Sequence, residues 1–307
     1  MQFPPGITLF ERGWLSSNNV LIRGTNGCAL IDSGYATHAA QTLTLVTSAL
    51  QGQSLDLLLN THLHSDHCGG NAALQARYPQ VQTLIPPGHA CFVAPWNPAG
   101  LSYLPTGQIC PPFGFNATLQ PNTEISLGDQ LWQIHAAPGH DPHSVILFEP
   151  RSGLLVSADA LWENGFGVVF PELDGANAFN EVAQTLDVIE ALAPRVVIPG
   201  HGAPFSDVTG ALARARRRLD SFAQEPHKHI RYAAKVLLKF KLLEVQHIPL
   251  EGLWQWAQAT PLLQQIYPAN ATPDQNFQDW LLALVEELVR SGAASRDQQT
   301  VSNTNSI

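Results

Sequence analysis

The run Leu55-Asp56-Leu57-Leu58-Leu59-Asn60 has the length and apolar character of a buried strand, and it leads directly into Thr61-His62-Leu63-His64-Ser65-Asp66-His67-Cys68-Gly69-Gly70-Asn71. Four metal-capable side chains therefore fall within six positions just beyond a strand end. In an extended segment His62 and His64, two apart, project to the same side, while Asp66 and His67 at the following turn point to a second centre. That spacing predicts two metal sites side by side, where isolated surface histidines would show no such clustering. The glycines let the backbone turn into the next helix without a side-chain clash.

Working outward, short apolar runs alternate with turn residues from about residue 7 to 203. Strands are expected at residues 19–23, 28–32, 83–85, 124–127, 131–136, 144–149, 154–158 and 196–199, and helices at 38–50, 71–78 and 180–192. Strands separated by helices, with hairpin-like stretches such as 124–136, predict sheets covered by helices in layers. Three more segments supply ligand-type residues where an apolar run closes or the next turn starts: Pro138-Gly139-His140, Ser157-Ala158-Asp159 and Pro199-Gly200-His201. They are expected to meet the 62–67 cluster at one end of the sheets.

With these residues in view, the chain resembles the metallo-β-lactamase superfamily of hydrolases over about residues 7–205, through H-x-H-x-D-H, the downstream Gly-His, the strand-end Asp and the final Gly-His-Gly in that order. The resemblance implies an α/β fold, an αββα sandwich with helices outside two sheets. It implies His62, His64 and His140 as ligands of one metal, Asp66, His67 and His201 as ligands of the other, and Asp159 as a bridge. Asp66 and Asp159 become the catalytic carboxylates. Asp32, in Ile31-Asp32-Ser33-Gly34, matches an early turn of the family and is expected to orient a ligand from behind. Two divalent ions are implied. Zinc suits imidazole and carboxylate donors, and so do iron and manganese.

The segment after Asp159 is aromatic and nearly uncharged. Trp162, Phe166 and Phe170, with His143 from the other side, are expected to wall a pocket for a substrate with an apolar part, although core packing also accounts for either Trp162 or Phe170 taken singly. The Pro/Gly-rich stretch 86–121 reads either as a lid or as a packed crossover.

The length of 307 residues fits one large domain plus an appendage. A catalytic domain is expected over residues 1–209 and a helical extension over 210–307. The extension resembles the small winged-helix-like additions of some superfamily members, with a short hairpin from residues 291–296 and a polar, frayed tail from 300. Its apolar helix faces, including Trp254, Trp256 and Trp280, suit pocket closure or a homodimer contact.

Hydrophobic residues make up 45% and charged residues 13%, which excludes a disordered chain, and the net charge of −9 excludes a nucleic-acid wrapper or polybasic membrane binder. The four cysteines, Cys28, Cys68, Cys91 and Cys110, form no C-x-x-C pair and read as thiols of a reducing compartment. Cys68, next to His67, is a candidate ligand or nucleophile, but its position after the motif and the lack of a second thiol favour a packing role. With no basic and apolar start and no run of about 18 apolar residues, a cytoplasmic protein free of the membrane is expected.

Three functions compete. The first is hydrolysis of a small ester, thioester or lactone by a hydroxide held between two metals. The second is phosphodiester hydrolysis of the ribonuclease type, favoured by nine Lys/Arg against two acids in residues 211–241 and opposed by the acidic body, five basic against sixteen acidic residues in 1–210. Residues 242–307, with two basic and seven acidic residues, match phosphates poorly, so nucleic acid is not the expected partner. The third is a binding or regulatory module of the same fold without turnover, for which no missing ligand argues.

Overall fold

The computed structural model describes residues 3–304, which form two compact units: residues 3–101 with Ile109–Asp220, and Ser102–Gln108 with residues 221–304.

The first unit holds two sheets. One has six strands in chain order, β1 (Ile7–Phe10), β2 (Asn19–Gly24), β3 (Gly27–Ile31), β4 (Leu57–Leu59), β5 (Gln82–Ile85) and β6 (Ala117–Thr118), antiparallel through β3 and parallel from β3 to β6. The other has five in the order β11-β10-β9-β8-β7, formed by β7 (Thr123–Leu127), β8 (Gln130–Ala136), β9 (Val145–Glu149), β10 (Leu154–Ala158) and β11 (Val196–Pro199). Alternation along β2 and β3 sorts their side chains. Val20, Ile22, Ala29 and Ile31 join Trp132, Ile134, Val145, Leu147, Val156 and Ile198 in a core between the sheets, while Leu21 and Leu30 turn the other way and pack with Val46, Leu50 and Leu74 of two helices, Ala39–Leu50 and Asn71–Arg77. The helix Ala178–Leu192 buries Val182, Leu186 and Ile189 on one stripe. This is the expected α/β sandwich.

Topology explains where the site sits. β9 is antiparallel to both β8 and β10, and β11 is parallel to β10, so β8, β10 and β11 run the same way and end at one edge. β3 and β4 are parallel, and their carboxyl ends carry Asp32 and the 61–67 turn. At that turn a Cβ on Gly69 would lie 2.4 Å from the Ala36 nitrogen, and one on Gly70 would lie 2.5 Å from the Ser33 oxygen, so only glycine lets the two chain segments touch.

The 86–121 stretch is a packed crossover between β5 and β6 in its buried part, with Leu101 and Phe113 in the interior and Trp96 against Phe113. The expected helical extension opens with a break at Glu225: one helix is Val208–Gln224, and a second, Pro226–Val245, starts on a proline, which has no N–H to give to a preceding turn.

The second unit adds the helices Leu250–Gln258, Pro261–Asn270 and Phe277–Arg290 and a sheet ordered β12-β14-β13, with β12 (His247–Pro249), β13 (Ala294–Arg296) and β14 (Thr300–Asn303). The wing hairpin forms, and its return strand comes from the stretch expected to fray; residues 305–307 of that stretch lie outside the described residues. Trp280, expected on an apolar face open to partners, is instead fully buried. Its ring lies 5.5 Å from those of Tyr267 and Phe277 and its Nε1 donates to Asn270. No helix among the described residues is long and apolar enough to cross a membrane.

Candidate metal centre

Each expected ligand leaves a strand end. His62 and His64 follow β4, His140 follows β8, Asp159 follows β10 and His201 follows β11. Two groups result, each with one donor atom per residue within 4.8 Å of the others: His62, His64 and His140, and Asp66, His67, Asp159 and His201. Asp159 spans them. Its Oδ2 is 3.3 Å from His140 Nε2, and its Oδ1 is 3.5 Å from His67 Nε2 and 3.9 Å from His201 Nε2.

Hydrogen bonds behind the rings choose which nitrogen faces inward. His140 Nδ1 donates to the Val168 carbonyl at 2.5 Å, leaving Nε2 for the centre. His67 Nδ1 donates to Asp32 Oδ2 at 2.7 Å. The buried Nε2 atoms of His62 and His67 have no hydrogen-bond partner among the described residues. Buried nitrogens without a partner are costly unless a cation takes their lone pairs, so these residues fit a metal.

The electrostatics of the two groups differ. Burial, then the neighbouring imidazoles His67, His64 and His140, holds the His62 pKa well below its usual value; burial and His140 bring His64 to about 3. Both stay neutral, which is the ligating form. Around His67, burial opposes charge, but Asp32, Asp159 and Asp66 outweigh it and raise its pKa well above normal. Burial works against ionised Asp159 too, and His201 and His67 more than compensate, keeping it a carboxylate. The second group thus carries two carboxylates, with Asp32 behind His67, and attracts positive charge.

A turn of backbone close to Asp159 completes the second group. A Cβ on Gly200 would stand 2.1 Å from Asp159 Oδ1. The 199–202 turn is pinned by Asn18, whose Nδ2 donates to the carbonyls of Pro199 and Gly202 and whose backbone N–H donates to Gly200; the Ser17 N–H donates to Asp66.

The family profile described as the metallo-beta-lactamase superfamily matches residues 12–201, the span that contains every one of these candidate ligands. The chain belongs to the metallo-beta-lactamase superfamily. A hydroxyacylglutathione hydrolase of Anaeromyxobacter dehalogenans is 30% identical over 161 residues, 52% of this chain and 52% of that protein. The chain thus spans about half the length of that relative. Metallo-beta-lactamase domain-containing protein 1 of Mus musculus is 30% identical over 217 residues, 64% of this chain and 73% of that protein. A crystal structure of a metallo-beta-lactamase family protein from Thermus thermophilus, 20% identical, matches over 98% of this chain and 99% of its own with a TM-score of 0.57. The superfamily is one of metal-dependent hydrolases, and the His/Asp groups are where this member could hold metal.

The expected pocket residues separate. Phe170, partly exposed, lies 5.0 Å from the His64 ring. Trp162 lies 5.7 Å from His201 and donates from Nε1 to Asp159 Oδ1 at 3.1 Å. Phe166, expected in the pocket wall, is only 1% exposed and belongs to the core, because the chain returns inward between Gly165 and Val169. His143 faces the His89 ring at 4.7 Å.

Two neighbours of this superfamily site escaped sequence reasoning. Trp14 stacks on His201 with ring planes 7° apart and centroids 5.4 Å apart, and nothing in Gly13-Trp14-Leu15 marks it. Buried Asp141 lies 3.8 Å from His64 Nε2 and 3.6 Å from His89 Nε2; its place directly after His140 was the available signal.

Proposed function

We propose that this protein is a dinuclear metal-dependent hydrolase of a small ester, thioester or lactone with an apolar part. The observation that carries the proposal is the carboxylate of Asp159, which reaches an imidazole of the first group with one oxygen and two of the second with the other. In this reading His62, His64 and His140 hold one ion, Asp66, His67 and His201 the other, and Asp159 both. Zinc suits this donor set.

Bound ions would supply a water of lowered pKa as nucleophile and polarise the acyl oxygen. The chain's own residues do the rest. Asp32 fixes the tautomer and direction of His67, and Val168 does the same for His140. The Trp162 indole N–H and the close approach of Gly200 hold the Asp159 carboxylate in place. Trp14 keeps the His201 ring in its plane by stacking. Phe170 and Trp162 flank opposite ends of the centre and offer apolar surface to the acyl group. The relatives named hydroxyacylglutathione hydrolases support a thioester among the three substrate classes.

Six of the nine cations in the basic strip that favoured phosphodiesters sit in intramolecular ion pairs. Arg216 binds Asp187 and Glu190, Arg214 binds Asp207, Arg231 and Lys235 bind Glu287, Lys228 binds Glu225, and Lys241 binds Glu244. Lys239 donates to Ala293, Asn303 and Thr304. Little of it is offered to a phosphate backbone. Metal analysis followed by a hydrolysis screen over thioesters, lactones, β-lactams and bis(p-nitrophenyl) phosphate tests the proposal. Metal-dependent turnover of an acyl substrate is expected, and activity on the phosphodiester alone would overturn it.

A further inference from the structure

Two of the four cysteines, 42 residues apart in sequence, meet in the fold: Cys68 Sγ lies 3.8 Å from Cys110 Sγ. Cys68 closes the short helix Ser65–Cys68, directly after Asp66 and His67. It is buried, with its sulfur 3.3 Å from the His64 carbonyl. Cys110 is half-buried and therefore the more accessible of the pair. The remaining two lie elsewhere, Cys28 against Gln53 and the exposed Cys91 against Gly88. Both sides of the pair are anchored: Ile109 donates its N–H to the buried Tyr35 hydroxyl, and His67 accepts the Ser33 N–H. A disulfide has sulfurs about 2.05 Å apart, so closure draws the two together by roughly 1.8 Å. With Cys110 tethered through its neighbour, part of that movement falls on the turn that carries Asp66 and His67.

We propose that Cys68 and Cys110 are a site of oxidative modification, at which a peroxide joins them in a disulfide that displaces the Asp66–His67 turn and weakens metal binding there. The crosslink stands on the sulfur geometry alone, and its effect on metal rests on the function proposed above. The chemistry balances. Cys110 Sγ attacks one peroxide oxygen, the O–O bond breaks, and a sulfenic acid and one water (or alcohol) result. Cys68 Sγ then attacks Cys110 Sγ, the S–S bond forms, the S–O bond breaks, and the departing hydroxide leaves with the thiol proton as water. Two thiols lose two electrons in all, and the peroxide gains two.

The test is to treat the full chain with a few equivalents of hydrogen peroxide, block the remaining thiols, count them under denaturing conditions and map the peptides by mass spectrometry. The thiol count is expected to fall from the four in the sequence by one pair, reversibly with dithiothreitol. The mass drops by about 2 Da, with a peptide joining Cys68 to Cys110. Cys110→Ser and, separately, Cys68→Ser abolish the crosslink, and the double variant Cys28→Ser/Cys91→Ser keeps it. Chelator competition with zinc, and the visible spectrum with cobalt, are expected to show a loss of about tenfold or more in affinity for one metal equivalent in the oxidised chain, regained on reduction. An unchanged thiol count, modification of Cys91 alone, or oxidation of Cys68 without a crosslink would overturn the site. A crosslinked chain with the affinity and spectrum of the reduced one would overturn its control of the turn. If neither form binds zinc or cobalt, it is the metal reading that fails, and the crosslink result stands by itself.

Discussion

Replacing Asp32 by Asn removes one negative charge and one acceptor from the most buried part of the centre while leaving its shape intact. Asp32 sits at φ 59°, a left-handed conformation that Asn tolerates as well as Asp, so the backbone has no reason to move. The carboxylate accepts three hydrogen bonds: from the Thr61 N–H at 2.9 Å, from the Thr61 hydroxyl at 2.8 Å and from His67 Nδ1 at 2.7 Å. An amide can keep its oxygen on the Thr61 N–H only by turning its NH2 towards His67 Nδ1. His67 must then move its proton to Nε2, the atom aimed at Asp159, and lose the lone pair that would bind metal. The opposite amide orientation sets the NH2 against the Thr61 N–H. Either way one buried donor is left without an acceptor, at about 1–3 kcal/mol. Expressed as metal affinity, the expected loss is about 10- to 100-fold, roughly 1.4–2.7 kcal/mol, confined to one of two equivalents. Competition with a chromophoric chelator, alongside metal analysis and circular dichroism, measures it. Two metal equivalents bound with unchanged affinity by a folded Asp32→Asn protein would refute the tautomer argument.

Other outcomes follow from the same geometry. Asp159→Ala is expected to cost about 10²-fold or more in kcat with the fold retained, because the two ligand groups lose their shared carboxylate; full turnover with two metals bound would exclude the bridging role. Gly200→Ala should lower stability by about 1–3 kcal/mol, read from the urea midpoint, since its Cβ would overlap Asp159 Oδ1 at 2.1 Å. Trp280→Ala, which empties the largest fully buried site of the second unit, should cost about 3–5 kcal/mol by the same measurement. Burial brings the His229 pKa down to about 4. Because the unfolded chain binds this proton below about 6.5 and the folded chain only below about 4, stability should fall as pH drops through that window, by about 3 kcal/mol in full. His229→Gln should flatten that part of the urea-midpoint profile, and an identical slope in the variant would count against the assignment.

The centre was legible because its chemistry is local. His62, His64, Asp66 and His67 lie within one turn, and the strands before them are short apolar runs whose identity does not depend on distant partners. What stayed hidden depends on distance. Trp14 reaches His201 only after both sheets close, Cys110 reaches Cys68 only across 42 residues of chain, and neither residue has a neighbour that announces it. Edge strands were missed for another reason: β1 is half-buried along its whole length and β6 is two residues long, so neither alternates. The helix Pro261–Asn270 carries Pro268 inside it, which argues against a helix in any local reading. Phe166 and Trp280 show the converse limit, since sequence marks a residue as aromatic without saying whether the chain turns it inward.

The pinning of the 199–202 turn by Asn18 has a consequence in time as well as in space. Asn18 and the carbonyl of Gly202 are 184 residues apart, and His62 precedes His201 by 139. Ribosomes add roughly 5–20 residues per second, so about 7–28 s pass between synthesis of the first ligand and of the last. At the start of that interval the nascent chain presents three imidazoles and a carboxylate from the 62–67 turn without Asp159, and throughout it the 199–202 turn that Asn18 will pin is missing. A mature metal site therefore cannot precede the docking of β11, and any ion captured earlier must be held by an incomplete and exchangeable set of ligands.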